Sequence, residues 1–445
     1  MGERLADAPV DLRLLPGSAA IDGDGRLSVG GCDLASLAQT FGTPLYVYDE
    51  GELRARCRDY RAAFGDDAVA YAGKAFLCVA MARLVDEEGL NLDVATGGEA
   101  HVAHRAGFPA ERLVFHGNNK SELELRLALE LGVGRLVVDG VDELDRIEAL
   151  VAGGLPRPRV LVRVTPGVEA HTHEYIATGA DDSKFGFTVS TGAARDAAVR
   201  VAKSDAMELV GFHCHIGSQI LVLESYARAA AIVAELAAQV SSAIGAPIAE
   251  INLGGGLGVP YTSDDLDAPP IAEYAAFVRK SFADACASVG LDPAPRLAVE
   301  AGRSIAGPAG LTLYSVGSVK EIAGVRTYVA VDGGMSDNPR PVTYGARYEA
   351  FLPARAAAPR PSVVDVAGKH CEQGDILIKD AHVPADLAVA DVLATPVTGA
   401  YAYSMASNYN LLPRPAVVFV HGGDARVVVR RETYEDLVTR DHMGD

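Results

Sequence analysis

One lysine, Lys74, stands in Tyr71-Ala72-Gly73-Lys74-Ala75, directly after an apolar run that reads as a buried strand. An amine placed there is costly to keep charged, so burial lowers its pKa, and the free amine is the form that condenses with an aldehyde to a Schiff base. A snorkelling or ion-paired lysine is the other reading of the same residue. Three consecutive glycines, Gly254, Gly255 and Gly256, follow a second strand-like run. They let backbone N–H groups approach a phosphate closely, although a tight turn explains them as well. Ser218, in His215-Ile216-Gly217-Ser218-Gln219, can add a hydroxyl to the same phosphate. Glu300 closes another apolar run, so its carboxylate needs a cation nearby, either a protonated pyridine nitrogen or Arg303. Paired with a pyridine nitrogen, it keeps the ring an electron sink able to stabilise the carbanion left by departing CO2. His215 can lie flat on such a ring or serve the strand alone. If all three functional readings hold, amine, phosphate cradle and carboxylate would together suit pyridoxal 5'-phosphate.

His213 and His215, and separately His171 and His173, also have the spacing of paired metal ligands on a strand face. Neither pair is accompanied by a third ligand at useful spacing, so no metal is expected.

These residues sit at the ends of strand-like runs. The runs are Ala68–Ala72, Leu92–Ala95, Leu113–His116, Leu136–Asp139, Val160–Val164, Leu209–His215, Glu250–Leu253 and Leu297–Glu300, eight in number. Between them lie stretches rich in Ala, Leu, Glu and Arg, such as Ala75–Glu88, Glu99–Ala106, Ser121–Leu131, Glu143–Val151, Leu223–Ala243 and Ile271–Ser288, which read as helices. The alternation, from about Tyr46 to about Glu300, predicts a (β/α)8 barrel, a fold whose chemistry gathers where strands end and βα loops begin. Lys74, Asp93, His116, His215, Gly254 and Glu300 all obey that rule.

Beyond about Ser304 the chain turns to Val-, Thr- and Tyr-rich runs, Leu311–Val319, Thr327–Val331, Val363–Val366 and Ala416–Val420, predicting an all-β domain. The first ~40 residues look extended, and Ile21 to Val29 carries Gly-Asp-Gly turn chemistry, so they are expected to join it. The division expected is 1–45 and 305–445 for the β domain and 46–304 for the barrel. Thr165–Phe187 is too long for an ordinary connection and is a candidate lid.

Composition sets the outer limits. The 445 residues are 49% hydrophobic and 22% charged, with a formal net charge of −19 and no basic cluster, which removes the electrostatic term that nucleic-acid binding needs. Six scattered cysteines form no Cys-x-x-Cys pair, and no run of 18 uncharged apolar residues or export signal is present, so a reducing cytoplasm is expected and a membrane is not.

Taken in order, Tyr71-Ala72-Gly73-Lys74-Ala75-Phe76, His116-Gly117-Asn118-Asn119-Lys120-Ser121, His213-Cys214-His215-Ile216-Gly217-Ser218-Gln219, Asn252-Leu253-Gly254-Gly255-Gly256, Val331-Asp332-Gly333-Gly334-Met335 and Gly368-Lys369-His370-Cys371-Glu372 make a chain that resembles the diaminopimelate decarboxylases, a branch of the alanine-racemase-like, fold-type III pyridoxal-phosphate enzymes. The resemblance spans nearly the whole chain. It implies Lys74 and Cys371 as catalytic residues, Cys371 returning a proton to Cα after CO2 leaves. It further implies Asp93, His215, Ser218, the three glycines, Glu300, Gly302, Arg303 and Tyr401 around the cofactor. Arg303, Arg340 and Tyr344 match positions that bind substrate carboxylate, Glu372 one that binds the distal ammonium, and Tyr401 one that touches both substrate and cofactor. A homodimer is implied as well, since in relatives the Cys-Glu pair reaches the neighbouring subunit's site. An arginine for a far carboxylate together with an acid for a far ammonium suits meso-diaminopimelate better than ornithine or lysine. Two positions depart from the family pattern: Ala301 replaces a proline and Gln373 a serine. Gln373 leaves open a paralogous decarboxylase for another amino acid, and loss of chemistry would leave a regulatory binding protein.

Overall fold

The computed structural model describes residues 10–168 and 182–442. The chain forms two compact units, one of Arg56–Gly258 and Ala268–Ser304, the other of Met1–Ala55, Val259–Asp267 and Ile305–Asp445.

The first unit is the expected barrel. Its strands are Val69–Ala72, Asn91–Val94, Leu113–Phe115, Arg135–Val138, Arg159–Thr165, Glu208–His213, Glu250–Asn252 and Arg296–Ala301. Each pairs in parallel with the next, and the last closes on the first through Val299 opposite Val69. Parallel strands covered on both faces need nearly continuous apolar sequence, and Val69–Ala72 is buried at all four positions. Ala70, Val114, Val137, Leu161 and Val210 project inward and fill the interior. The helices start where the chain offers caps. Thr96 accepts from the Glu99 N–H, and Ser121 and Glu124 form a reciprocal capping box. A further helix, Ala193–Lys203, follows the fifth strand, its buried face made of Ala194, Ala197, Ala198 and Val201. A short strand, Phe187–Thr188, adds to the end of the fifth. Most of the candidate lid, residues 169–181, lies outside the described residues, as do His171 and His173.

Helix Glu224–Ile244 is long and apolar enough by length and composition to cross a membrane. Here it belongs to the barrel's helical layer and buries Tyr226, Ala229, Ala230, Val233, Ala234, Leu236, Ala237 and Val240.

The second unit is built on a mixed sheet. Leu45–Asp49 lies between Gly310–Ile322, antiparallel to it, and Ala416–His421, parallel to it. The sheet continues through Arg326–Val331, Ser362–Ala367 and Ile376–Val383 on one side and Asp424–Val429 on the other. All four β-rich runs expected past Ser304 are strands. The alternation assigned to the barrel from about Tyr46 therefore begins with a strand of this sheet. The N-terminal hairpin forms as expected, with Ile21 opposite Leu27 and the Asp22 side chain accepting the Asp24 and Arg26 N–H groups at 2.9 Å each. Residues 34–41 differ from the extended reading. Asp33 caps a helix over Leu34–Phe41, and Leu34, Leu37 and Ala38 bury the face that periodicity two would have split. These residues share a core with Leu45, Val47, Leu311, Leu313 and Val418.

Candidate active site

Lys74 occupies a single 3-10 turn, Gly73–Ala75, immediately after the first barrel strand. Tyr71 spans the turn, its hydroxyl donating to the Phe76 carbonyl at 2.7 Å. A side chain at position 73 would press on the Asp93 carbonyl, so glycine lets the Lys74 turn sit tight against the second strand. Lys74 is half-buried, and its positive charge acts on Asp93, His116, His215 and Glu300, which places these residues around one centre.

Glu300, 4% exposed, is held by its first oxygen. Oε1 accepts from His213 Nε2 at 2.8 Å and from Asn252 Nδ2 at 3.0 Å, whereas the buried Oε2 has no hydrogen-bond partner. Burial acts to raise the carboxyl, but His213, by charge and hydrogen bond, and Lys74 by charge hold it well below the ordinary range. The protein neighbour of Glu300 is His213 rather than Arg303, whose guanidinium goes to Ser218 instead. Burial and then the Glu300 charge push the Asp93 carboxyl the other way, well above its ordinary value. His116 Nε2 comes within 3.0 Å of Asp93 Oδ1 without hydrogen-bond alignment, and burial with Lys74 drives its imidazole neutral.

The glycine turn has a defined shape. Gly254 and Gly256 have φ of 68° and 122°, and an added Cβ would strike the carbonyls of Cys214, Glu300 and Gly217 at positions 254, 255 and 256. The Gly254 N–H donates to Asn252 Oδ1 at 2.8 Å and the Gly255 N–H to His215 Nδ1 at 3.3 Å. Of the three amides expected to cradle a phosphate, two are therefore engaged within the protein, and the cradle narrows to Gly256 and its neighbours. Those neighbours include Ser218, whose hydroxyl receives Arg303 Nη2 at 2.9 Å and Nε at 3.2 Å. Guanidinium and hydroxyl together supply the positive charge and the donors that the turn lacks for an anion. His215 accepts at Nδ1, so its proton sits on Nε2, and burial followed by Lys74 keeps the ring neutral. Gly302 packs its α-carbon against Ala72 and Ala75, where a Cβ would lie 3.0 and 3.1 Å from their methyl groups.

This set fits pyridoxal phosphate. An orphaned, ionised carboxylate oxygen suits a protonated ring nitrogen, the Arg303–Ser218 pair suits a phosphate, and Lys74 supplies an amine for the aldehyde. Arg163 escaped the reading of the sequence. It is buried on the fifth strand, its guanidinium stacked over Phe185 at 4.2 Å and 3.6 Å from Asp139. The signal was available, a lone cation inside Val160-Leu161-Val162-Arg163-Val164.

In the second unit, Arg340 is 6% exposed. Its guanidinium lies over the Tyr261 ring at 4.5 Å and donates to the Tyr348 hydroxyl, and the Tyr401 hydroxyl acts on its charge. Among the described residues no carboxylate pairs with it. Tyr344 ends the same short helix, Arg340–Tyr344, and is half-buried. Tyr401 holds a φ of 64°, a left-handed backbone that a non-glycine residue adopts only when its surroundings require it. Cys371 is exposed whereas the other five cysteines are buried, which removes the ordinary buried thiol as its reading. Its N–H donates to Asn410 Oδ1 at 3.0 Å, and Glu372 and Gln373 beside it are exposed as well.

Known proteins resemble the chain over nearly its whole length. Residues 50–307 match the family described as pyridoxal-dependent decarboxylase, pyridoxal binding domain. Over 448 residues the chain is 49% identical to the diaminopimelate decarboxylase of Mycobacterium tuberculosis (strain H37Rv), covering 99% of each. It is 48% identical over 431 residues to that of Bacillus subtilis (strain 168), covering 96% of this chain and 98% of the relative. Among solved structures, diaminopimelate decarboxylase from M. jannaschii in complex with L-lysine superposes with a TM-score of 0.85 at 32% identity, over 96% of this chain and 98% of that one.

Proposed function

Because the chain belongs to the pyridoxal-dependent decarboxylases and within them to the diaminopimelate decarboxylases, we propose a residue-by-residue account of how it converts meso-2,6-diaminopimelate to L-lysine and CO2. Pyridoxal phosphate, when bound, supplies the aldehyde that takes up the substrate amine and the ring that receives the electron pair left by CO2.

The chain's own residues do the rest. Lys74 would hold the cofactor through its amine. Glu300 Oε2 would pair with the ring nitrogen, His215 would lie against the ring, and Asp93, whose carboxyl is held well above its ordinary value, would line the same centre. Arg303, Ser218 and the Gly254–Gly256 turn at Gly256, with Gly302 allowing close approach, would hold the phosphate. Arg340, with Tyr344 and Arg303, binds substrate carboxylate, and Tyr401 contacts substrate and cofactor. Cys371 donates the proton to Cα, and Glu372 pairs with the far ammonium.

Arg340 carries the substrate reading. A buried guanidinium without a carboxylate among the described residues is costly unless a ligand supplies one, and meso-diaminopimelate carries a second carboxylate where lysine and ornithine have none. The exposed Cys371 and Glu372 support a head-to-tail homodimer, in which each pair is covered by the barrel of a second copy. Six cysteines, none of them in a disulfide, support a cytoplasmic setting. CO2 release measured on meso-diaminopimelate, lysine, ornithine and arginine tests the assignment. Turnover of meso-diaminopimelate alone is expected, and a preference for ornithine would overturn the role given to Arg340.

A further inference from the structure

Three neighbouring strands bring one residue each to the same point. His213 and Asn252 are register partners on the sixth and seventh barrel strands. Asn252 is in turn the register partner of Ala298 on the eighth, two residues before Glu300 on the same face. The backbone ladder, not side-chain packing, therefore decides that these three side chains converge. Their hydrogen-bond directions are fixed as well. Asn252 Oδ1 already accepts the Gly254 N–H, so its Nδ2 is the group that donates to Glu300 Oε1. Glu300 Oε1 thus receives one N–H from Asn252 and one from His213 Nε2. The His213 ring is fully buried, and its rotation is limited by His116, stacked against it at 6.0 Å with 24° between planes.

We propose that His213 is a positioning residue for Glu300: by fixing Oε1 it turns Oε2 toward the cofactor and keeps the shared proton on the ring nitrogen rather than on the carboxylate. The inference rests on Glu300 being the partner of that nitrogen. A buried carboxylate stripped of a donor has two ways to relieve its desolvation, to rotate or to take up a proton, and either one leaves the ring a neutral pyridine. A neutral pyridine draws electrons less well, so the loss falls on the bond-breaking step and not on the groups that bind substrate.

The test uses full-length protein reconstituted with pyridoxal phosphate carrying 15N in the ring, whose chemical shift separates protonated from unprotonated nitrogen. His213→Phe keeps the stack on His116 and removes the N–H. His213→Gln loses the imidazole and returns an N–H at nearly the same reach. With His213→Phe the nitrogen is expected to lose its proton and kcat to fall on the order of tenfold to a hundredfold, with KM within about twofold. With His213→Gln the protonated shift is expected to persist. If His213→Phe does not fold, His213→Gln decides alone. A protonated nitrogen in the Phe variant, or an unprotonated one in the Gln variant, overturns the proposal. Glu300→Gln separates this from the underlying reading. If that variant keeps the nitrogen protonated, Glu300 is not its partner; if it loses the proton while His213→Phe does not, only the part given to His213 falls.

Discussion

Asp375 grips His370 twice, its Oδ2 accepting the backbone N–H at 2.9 Å and lying 3.0 Å from the ring Nδ1. Its other oxygen accepts the Met335 N–H at 2.7 Å. One carboxylate, 3% exposed, thereby ties residues 333–335 to the turn that carries Cys371 and Glu372. Gly334 and Gly368 are required by the same contact, since a Cβ on either would lie 2.5 or 2.1 Å from an Asp375 oxygen. Asp375→Ala leaves several donors buried without an acceptor and is expected to cost about 2–4 kcal/mol, read from urea unfolding. Decarboxylation should fall with it, because Cys371 loses its support.

Lys74→Ala is expected to abolish covalent cofactor attachment and to lower turnover on the order of a thousandfold or more. Visible absorbance that borohydride removes from the wild-type protein should be missing from the variant. Full turnover in its absence would remove Lys74 from the chemistry.

Arg340→Gln keeps hydrogen-bonding capacity but removes the charge facing the far carboxylate. Truncating one side of a buried charge pair costs about 2–5 kcal/mol, so kcat/KM for meso-diaminopimelate should drop by roughly two orders of magnitude or more. Lysine and ornithine, which offer no carboxylate there, should show little further loss. Gln373→Ser, in contrast, should move substrate preference by no more than about tenfold, the scale on which a pocket neighbour tunes fit.

A pH effect on stability follows from Asp337. Burial pushes its carboxyl up to about 7, while the Tyr314 hydroxyl and the Gly334 N–H, both donating to it, work against that rise. The folded protein then binds a proton that the unfolded chain releases near pH ~3.9. The stabilisation is complete below that value and is lost as pH rises through 7, with a slope approaching about 1.4 kcal/mol per pH unit in between. Asp337→Asn is expected to flatten this decline between pH 5 and 8 in denaturant titrations.

The strand-end rule made Lys74, His215, the glycine triplet and Glu300 legible in the sequence, because barrel strands are continuous apolar runs and a polar residue closing one has few reasons to be there. Arg163 obeyed the same logic and was passed over inside its strand. Helix Leu34–Phe41 was hidden by its brevity, and Asp33 as its cap was the one local clue. Other roles were out of reach in principle. Asp375 reads as a turn residue after Cys-Glu-Gln-Gly until two loops more than thirty residues apart are seen to share it. His213 bonding to Glu300 depends on strand register across the barrel, and no local pattern encodes a register.

The proposed dimer can be tested without a structure of it. Suppose Cys371 of one copy serves the barrel of the other. Lys74→Ala and Cys371→Ala homodimers are then each inactive, but a mixed dimer owns one site with Lys74 from one chain and Cys371 from its partner. Its second site has neither. Random reassortment of equal amounts puts half of all dimers in the mixed form, so about a quarter of wild-type activity should return after mixing and partial unfolding. If lysine and thiol came from the same chain, every site in the mixture would lack one of them. Activity would then stay at the level of the separate variants, and the exposed position of Cys371 would need another explanation.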